Sequence, residues 1–206
     1  MKFINIRGCN GSGKTTLLRS LVKREPEGSV VRESPAYRQQ GDDFGVNDHK
    51  PIPFTFTPSG LAILGDYLPP KPGQQEATTA GCDRVKTQAA TKAALEWAAA
   101  QEGVKVVLFE GVVVSTIYGP WSEWAKKQGG MAWAFLDTPL KTCLERIQKR
   151  NGGKPIKEDQ VGDKHETIRR VRSKALADGL AVYDLSWEQA MTDLRAVIAD
   201  LTPEEF

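Results

Sequence analysis

The chain has 206 residues, a formal net charge of +2, 40% hydrophobic residues and 26% charged residues. This composition is that of an ordinary globular domain, and no apolar run reaches the ~18 residues that a membrane span requires. The N-terminus carries no charged-then-apolar leader, so the sequence predicts a soluble cytoplasmic protein.

The first predicted element is a strand at 2–6, followed by a glycine-rich loop and a helix. The loop, residues 8–16, has the spacing G-x-x-x-x-G-K-[ST], in which glycines let successive N–H groups point at phosphates near the positive end of a helix. Lys14 would reach the same phosphates and the Thr15 hydroxyl would ligate Mg²⁺. The residues predicted to bind a nucleoside triphosphate are Gly8, Asn10, Gly11, Ser12, Gly13, Lys14, Thr15 and Thr16.

The next segment is rich in turn residues. A short strand at 29–33 ends in Glu33, and the polar stretch at 38–53 is predicted to be a loop. Two apolar runs, 54–57 and 61–64, flank Pro58-Ser59-Gly60, which predicts a small hairpin rather than part of a parallel sheet. The whole insertion covers about 38–82.

Strands and helices alternate in the second half of the chain. The apolar runs at 104–109 and 131–136 are typical of strands covered on both faces. Because nearly every connection passes through a helix, we predict a single α/β domain over 1–206: a three-layer P-loop NTPase fold, with a mainly parallel five-stranded sheet covered by helices on both faces. The other predicted elements are helices at 83–101, 165–177 and 187–201, a partly helical segment at 116–128 and a strand at 180–184.

Carboxylates follow two of the predicted strands. In open α/β sheets ligands bind beyond the carboxyl ends of the strands, where Glu33 and Glu110 lie. Glu110 is positioned to help hold Mg²⁺ through water or to accept a hydroxyl proton; its structural alternative is a hydrogen bond to the next segment. Glu33 and Asp83 remain rival candidates for the general base.

Two arginines one helical turn apart predict contacts with the nucleotide. Arg146 and Arg150, with Lys154 after a glycine turn, have the pattern of a lid over about 146–165 that closes guanidinium groups onto the β- and γ-phosphates. An ordinary surface helix is the alternative. The candidate acceptor-binding residues are Asp66, Tyr67, Asp83 and Arg84.

Residues 141–174 contain eleven Lys or Arg against five acidic residues. An excess of about six positive charges attracts a polyanion such as DNA, although a solvated helix face is by itself the simpler interpretation. One of Trp121 or Trp124 is a candidate for stacking on a base. The three scattered cysteines argue against a disulfide framework and structural zinc.

These motifs together resemble the P-loop kinases that act on nucleosides and nucleotides. The resemblance rests on the loop at 8–16, the strand ending in Glu110-Gly111, and Phe135-Leu136-Asp137-Thr138-Pro139 followed by Arg146 and Arg150. The chain departs from thymidylate-kinase-like enzymes, which carry Asp-Arg-Tyr or Asp-Arg-Phe where this chain has Glu110-Gly111-Val112.

Gly65-Asp66-Tyr67 and Gly81-Cys82-Asp83 are similar to segments of the bacteriophage kinases that phosphorylate 5-hydroxymethyldeoxyuridine within DNA. This resemblance implies transfer of the γ-phosphoryl group from ATP·Mg²⁺ to the 5-hydroxymethyl group, as a step of thymidine hypermodification in the host cytoplasm. A kinase of a free deoxynucleoside or deoxynucleoside monophosphate is the alternative. A nucleotide-dependent switch or ATPase acting on a protein partner is the third.

Overall fold

The computed structural model describes residues 2–25, 27–40, 46–48, 50–70 and 81–202. The strands in these ranges are β1 (Phe3–Arg7), β2 (Val30–Glu33), β3 (Arg38–Gln40), β4 (Val46–Asp48), β5 (Pro53–Phe56), β6 (Leu61–Leu64), β7 (Val106–Glu110), β8 (Ala132–Leu136) and β9 (Val182–Leu185). The helices are α1 (Lys14–Val22), α2 (Gln88–Ala99), α3 (Val112–Thr116), α4 (Gly119–Lys127), α5 (Leu140–Arg150), α6 (Glu158–Ala177) and α7 (Ala190–Leu201), and a 3-10 turn spans Gly81–Arg84.

Seven strands form one sheet in the order β2-β5-β6-β7-β1-β8-β9. The run from β6 to β9 is parallel, whereas β5 is antiparallel to both of its neighbours. Ile6 of β1 is in register with Glu110 of β7 and Ala134 of β8. The carboxyl ends of the central strands therefore meet at one edge, where the loop after β1 emerges.

Helices cover both faces of this sheet. Alternate side chains of β1 point to opposite faces, as strand geometry requires. Phe3 packs on the face of α2 and α4, with its ring centroid 4.8 Å from that of Trp124. Ile4 and Ile6 pack with α1 and α7 on the other face. The sheet is thus the buried middle layer of an α/β domain.

The predicted sheet of five strands is too small, and the predicted hairpin is not separate from it. β5 and β6 do pair antiparallel, but β6 also pairs parallel with β7. The physical reason is burial: all four residues of β6 are apolar and buried, and only a place inside the sheet covers both faces of such a strand. The hairpin consequently separates β2 from β7.

Other boundaries also differ from the sequence prediction. Part of the predicted loop at 38–53 forms the antiparallel pair β3–β4. α6 begins at Glu158 rather than 165, with Glu158 and Asp159 in its first turn, where acidic side chains favour a helix N-terminus. Residues 41–45 of the predicted loop and residues 71–80 of the predicted insertion lie outside the described residues. None of the described helices combines the length and apolar character needed to cross a membrane.

Candidate active site

A cavity of about 790 Å³ opens at the carboxyl edge of the central strands. Seven of the eight loop residues predicted to bind nucleotide line it. Gly8, the eighth, packs against Ser12 within the loop, since a Cβ on Gly8 would come 2.5 Å from Ser12 Oγ. The lining also includes Asp83, Glu110, Arg146 and Arg150. Together with Lys14, five of the six predicted catalytic residues therefore line this cavity, and Glu33 is the exception.

Backbone geometry leaves the loop open to a ligand. Gly11 and Gly13 have φ values of 77° and 102°, in the region that favours glycine. A Cβ on Gly11 would come 2.4 Å from the carbonyl oxygen of Cys143 in α5, so the loop lies directly on that helix. Gly13 is the N-cap of α1 and makes no side-chain capping bond. The first-turn N–H groups of α1 are therefore suited to an anion.

Lys14 is held inside the loop. Its Nζ donates to the carbonyl oxygens of Gly8 at 2.7 Å and Cys9 at 3.0 Å, and the residue is 5% exposed. A buried ammonium needs such partners because burial without them disfavours the charged form. The loop thus carries a fixed positive charge facing the cavity.

Glu110 supplies an acidic group to the site, opposite in charge to Lys14. Its Oε1 accepts hydrogen bonds from Thr15 Oγ1 at 2.8 Å and from Tyr67 Oη at 3.3 Å, and the residue is 2% exposed. Burial raises the pKa of this carboxyl group, while the nearby Lys14 charge lowers it. A hydroxyl of the loop and a carboxylate at the end of β7 therefore share one small volume.

Asp83 holds the segment after Glu110 in place. Its Oδ2 accepts from Val112 N at 2.9 Å and its Oδ1 from Val113 N at 3.2 Å, so both carboxylate oxygens bind the start of α3. Gly111 allows this approach, because a Cβ there would come 3.0 Å from Asp83 Oδ1. The side chain lies beside the cavity with its oxygens already engaged.

Arg146 bridges the loop and a tryptophan that was not predicted. Its Nη1 donates to the carbonyl oxygens of Gly11 at 3.4 Å and Ser12 at 3.3 Å. Its guanidinium carbon lies 5.5 Å from the ring centroid of Trp187, which is 38% exposed and lines the cavity. Trp187 follows β9, so the rule that directed attention to strand ends would have found it.

The prediction that Trp121 or Trp124 stacks on a base is wrong. Both are core residues, 0% and 5% exposed. Their ring centroids are 5.6 Å apart, and Trp121 also lies 5.3 Å from Phe109 of β7. They pack the face of the sheet and leave no ring surface for a ligand.

The remaining candidates lie outside the loop-lined cavity. Glu33 is exposed at the end of β2, three strands from β7 and hence roughly 14 Å away at ordinary strand spacing. The inserted hairpin causes this separation. Tyr67 is 1% exposed and acts from inside the fold through its bond to Glu110. Asp66 and Arg84 line a second cavity.

Ion pairs reduce the free charge of the basic segment at 141–174. Arg172 pairs with Asp184, and Lys174 lies 3.6 Å from Asp178. Arg169 and Arg170 both contact Glu166 on α6. Exposed lysines in the first part of the segment, on either side of the turn between α5 and α6, keep their charge toward solvent: Lys141, Lys149, Lys154, Lys157 and Lys164.

Comparison with known proteins gives consistent matches. The sequence profile of the 5-hmdU DNA kinase family matches residues 2–183. The chain is 62% identical over 201 residues to a 5-hmdU DNA kinase of Pseudomonas phage M6, covering 98% of this chain and 100% of the relative. It is 30% identical to 5-hmdU DNA kinase 1 of Salmonella phage ViI, covering 79% and 66% of the two chains, and 27% identical to a longer 5-hmdU DNA kinase of Bacillus phage SP10, covering 88% and 26%.

Proposed function

The chain belongs to the 5-hmdU DNA kinase family, and we propose that it transfers the γ-phosphoryl group of ATP to the 5-hydroxymethyl oxygen of 5-hydroxymethyluracil in DNA. It is a phosphotransferase whose acceptor is DNA with a modified base. The parallel strands, the loop after β1 and the uncapped start of α1 support a P-loop NTPase fold. The observation that carries the assignment of the site is the 2.8 Å bond between Thr15 and Glu110.

This pair of side chains suits Mg²⁺. The ion takes oxygen ligands, keeps several waters and is bound through one or two carboxylates together with substrate phosphates. Thr15 Oγ1 and Glu110 Oε1 supply such oxygens 2.8 Å apart. Mg²⁺ would neutralise charge that develops on the phosphate oxygens.

Lys14 and Glu110 divide the chemical work. Lys14 lies in the loop that cradles the phosphates, and its charge stabilises the transferring group. Glu110 orients the acceptor hydroxyl and takes its proton as the oxygen–phosphorus bond forms and the bond to the β-phosphate oxygen breaks, releasing ADP. The bonds from Thr15 and Tyr67 fix the Glu110 carboxylate at the end of β7, and the base role rests on this position.

The other two acids have structural reasons to be excluded from the base role. Glu33 is exposed on β2, on the far side of the hairpin from Glu110. Asp83 already accepts two backbone hydrogen bonds from α3, and its role is to hold Gly111 and α3 beside Glu110. Glu110 is therefore our candidate for the general base.

The residues proposed to contact the adenine base and the phosphates from the lid also line the loop-lined cavity. Trp187 offers an exposed ring next to Arg146, and stacking on the adenine is the role we assign to it. Arg146 and Arg150 approach the phosphates from α5, where guanidinium groups match phosphate oxygens. In duplex DNA the acceptor base has to leave the stack, at a cost of a few kcal/mol, to reach Glu110.

Transfer of ³²P from γ-labelled ATP to four acceptors tests the proposal: duplex DNA with one 5-hydroxymethyluracil, the same duplex with thymine, free 5-hydroxymethyldeoxyuridine and its 5′-monophosphate. The DNA strands carry 5′-phosphates, so end-labelling cannot mimic base phosphorylation. We expect label in the modified duplex alone. Label confined to a free nucleoside or nucleotide would overturn the assignment of DNA as acceptor.

A further inference from the structure

A second cavity, of about 220 Å³, opens next to the loop-lined cavity and has no role in the transfer chemistry described above. Much of its lining is apolar and comes from three segments: the approach to β5, the end of β6 and the residues after the 3-10 turn. Such a surface favours the flat apolar face of a base over a strongly hydrated ligand. These lining residues are Pro51, Ile52, Pro53, Leu64 and Val85.

Charged residues around this slot favour a phosphate. Lys50, Arg84 and Lys86 line the cavity together with one acid, Asp66. All four are exposed, and one oxygen of Asp66 accepts from Leu68 N at 3.1 Å. Three cations against one carboxylate give an excess of two positive charges. An apolar slot with this charge balance is complementary to a deoxynucleotide within a strand, which has an apolar face and an anionic phosphodiester.

The second cavity lies one backbone layer from the proposed transfer centre. Gly81 lines it, and a Cβ on Gly81 would come 3.2 Å from Glu110 Oε1. Gly65, also in the lining, is packed so closely that a Cβ there would come 3.0 Å from Gly81 N. Neighbouring nucleotides in one strand are about 3.4 Å apart when stacked and farther apart when one is extruded. The second cavity is therefore within reach of a nucleotide that adjoins an acceptor base at Glu110.

We propose that the second cavity binds the nucleotide adjoining the acceptor in the same DNA strand, its base in the apolar slot and its phosphate against Lys50, Arg84 and Lys86. This inference rests on the proposed function, since it requires an acceptor within a strand. A free nucleoside has no adjoining nucleotide to fill the cavity. The subsite gives the enzyme a contact that distinguishes DNA from free nucleosides.

Photocrosslinking locates the adjoining nucleotide directly. Duplexes with one 5-hydroxymethyluracil carry 4-thiothymidine immediately 5′ or 3′ of it, and crosslinked peptides are mapped by mass spectrometry. We expect one of the two positions to crosslink within 50–53 or 84–86. Crosslinks from neither position to these peptides would overturn the subsite. Transfer to the same duplexes is measured in parallel: transfer without these crosslinks refutes only the subsite, whereas no transfer by the wild-type protein refutes the proposed function as well.

A matched pair of double variants provides the energetic test. Arg84→Ala with Lys86→Ala removes two cations of the subsite, and Lys126→Ala with Lys127→Ala removes two from the end of α4, which precedes β8 and so lies at the opposite edge of the sheet. We expect the first pair to raise the KM for DNA about tenfold and to reduce its dependence on salt, with the KM for ATP within twofold of wild type. The control pair should leave the KM for DNA within twofold. Equal effects of the two pairs, or no effect of the first, would overturn the subsite.

Discussion

The two cavities at the carboxyl edge are built in different ways from the sequence. The loop-lined cavity is centred on one continuous motif between β1 and α1, and side chains from β7, α5 and the segment after β9 complete its lining. The second cavity is assembled from the hairpin, the residues before it and the 3-10 turn, which are separated in the chain. A site carried by a contiguous motif can be recognised before the fold is known. A site assembled from separate segments is recognised only in part: the sequence singles out Asp66 and Arg84, but not the apolar residues that lie beside them.

Two glutamates at strand ends also differ because of the order of the strands in the sheet. Glu33 and Glu110 both end strands, and the sequence alone treats them as rivals. The inserted hairpin moves β2 outward, so that Glu33 is exposed while Glu110 is buried against Thr15. Strand order, rather than residue type, decides which carboxylate reaches the loop.

The largest effect is expected at the loop. Lys14→Ala should lower the rate of phosphoryl transfer to modified DNA about 10³-fold, because it removes a fixed charge that stabilises the transferring group. The measurement is single-turnover transfer from labelled ATP, with circular dichroism as the control for folding. Normal turnover by a folded variant would mean that the loop-lined cavity is not the transfer site.

The second effect separates the two strand-end acids. Glu110→Gln should lower single-turnover transfer at least 10²-fold, the usual range for loss of a general base, whereas the matched Glu33→Gln should remain within twofold of wild type. Comparable losses in both variants would contradict the distinction drawn from strand order.

Proton binding by Glu110 should also affect how the free energy of unfolding depends on pH. Its folded-state pKa is raised above the ordinary value of 4.5 by burial, so the folded chain binds a proton more tightly than the unfolded chain. The free energy of unfolding of the wild type should therefore fall as the pH rises from about 4.5 through the raised pKa of Glu110. Glu110→Gln should lack this pH-dependent contribution. Urea unfolding of both proteins from pH 4 upward measures the difference. The free energy of unfolding of Glu110→Gln minus that of the wild type should therefore grow as the pH rises, and a difference that shrinks would contradict the prediction.

A smaller effect is expected at the nucleotide base. Trp187→Ala should raise the KM for ATP about tenfold, since stacking on an aromatic ring contributes ~1–3 kcal/mol per base, and Trp187→Phe should recover most of the loss. The KM for DNA should not change in either variant. A change in the KM for DNA alone would place Trp187 on the acceptor side instead.

The smallest effect concerns the basic segment. Neutralising Lys154, Lys157 and Lys164 together should weaken DNA binding several-fold and flatten its salt dependence, because phosphate contacts release counterions. The slope of log Kd against log salt, by fluorescence anisotropy, is the measurement. An unchanged slope would show that these lysines are solvated and do not contact DNA phosphates.

The sequence predicted those parts of the molecule whose determinants are local. The loop, the strand ending in Glu110 and the arginines of α5 could be located because each depends on neighbouring residues and a fixed spacing. The place of β6 between β5 and β7 could not be predicted. An apolar four-residue strand is compatible with a separate hairpin or with the interior of a sheet until the elements that pack against it are known. Tyr67 and Asp83 were selected for the acceptor, yet their hydrogen bonds to Glu110 and α3 depend on segments far away in sequence.

The central claim is that this chain uses Glu110 and Thr15 to phosphorylate a hydroxymethyl group within DNA. The most direct measurement is mass analysis of the nucleotides released by nuclease digestion without phosphatase from 5′-phosphorylated duplex containing 5-hydroxymethyluracil, after incubation with ATP·Mg²⁺ and either wild type or Glu110→Gln. We predict that wild type converts 5-hydroxymethyldeoxyuridine to its 5-phosphomethyl form and that Glu110→Gln does so at least a hundredfold more slowly. An unmodified 5-hydroxymethyluracil nucleotide after incubation with wild type, or equal conversion by the two proteins, would contradict the account.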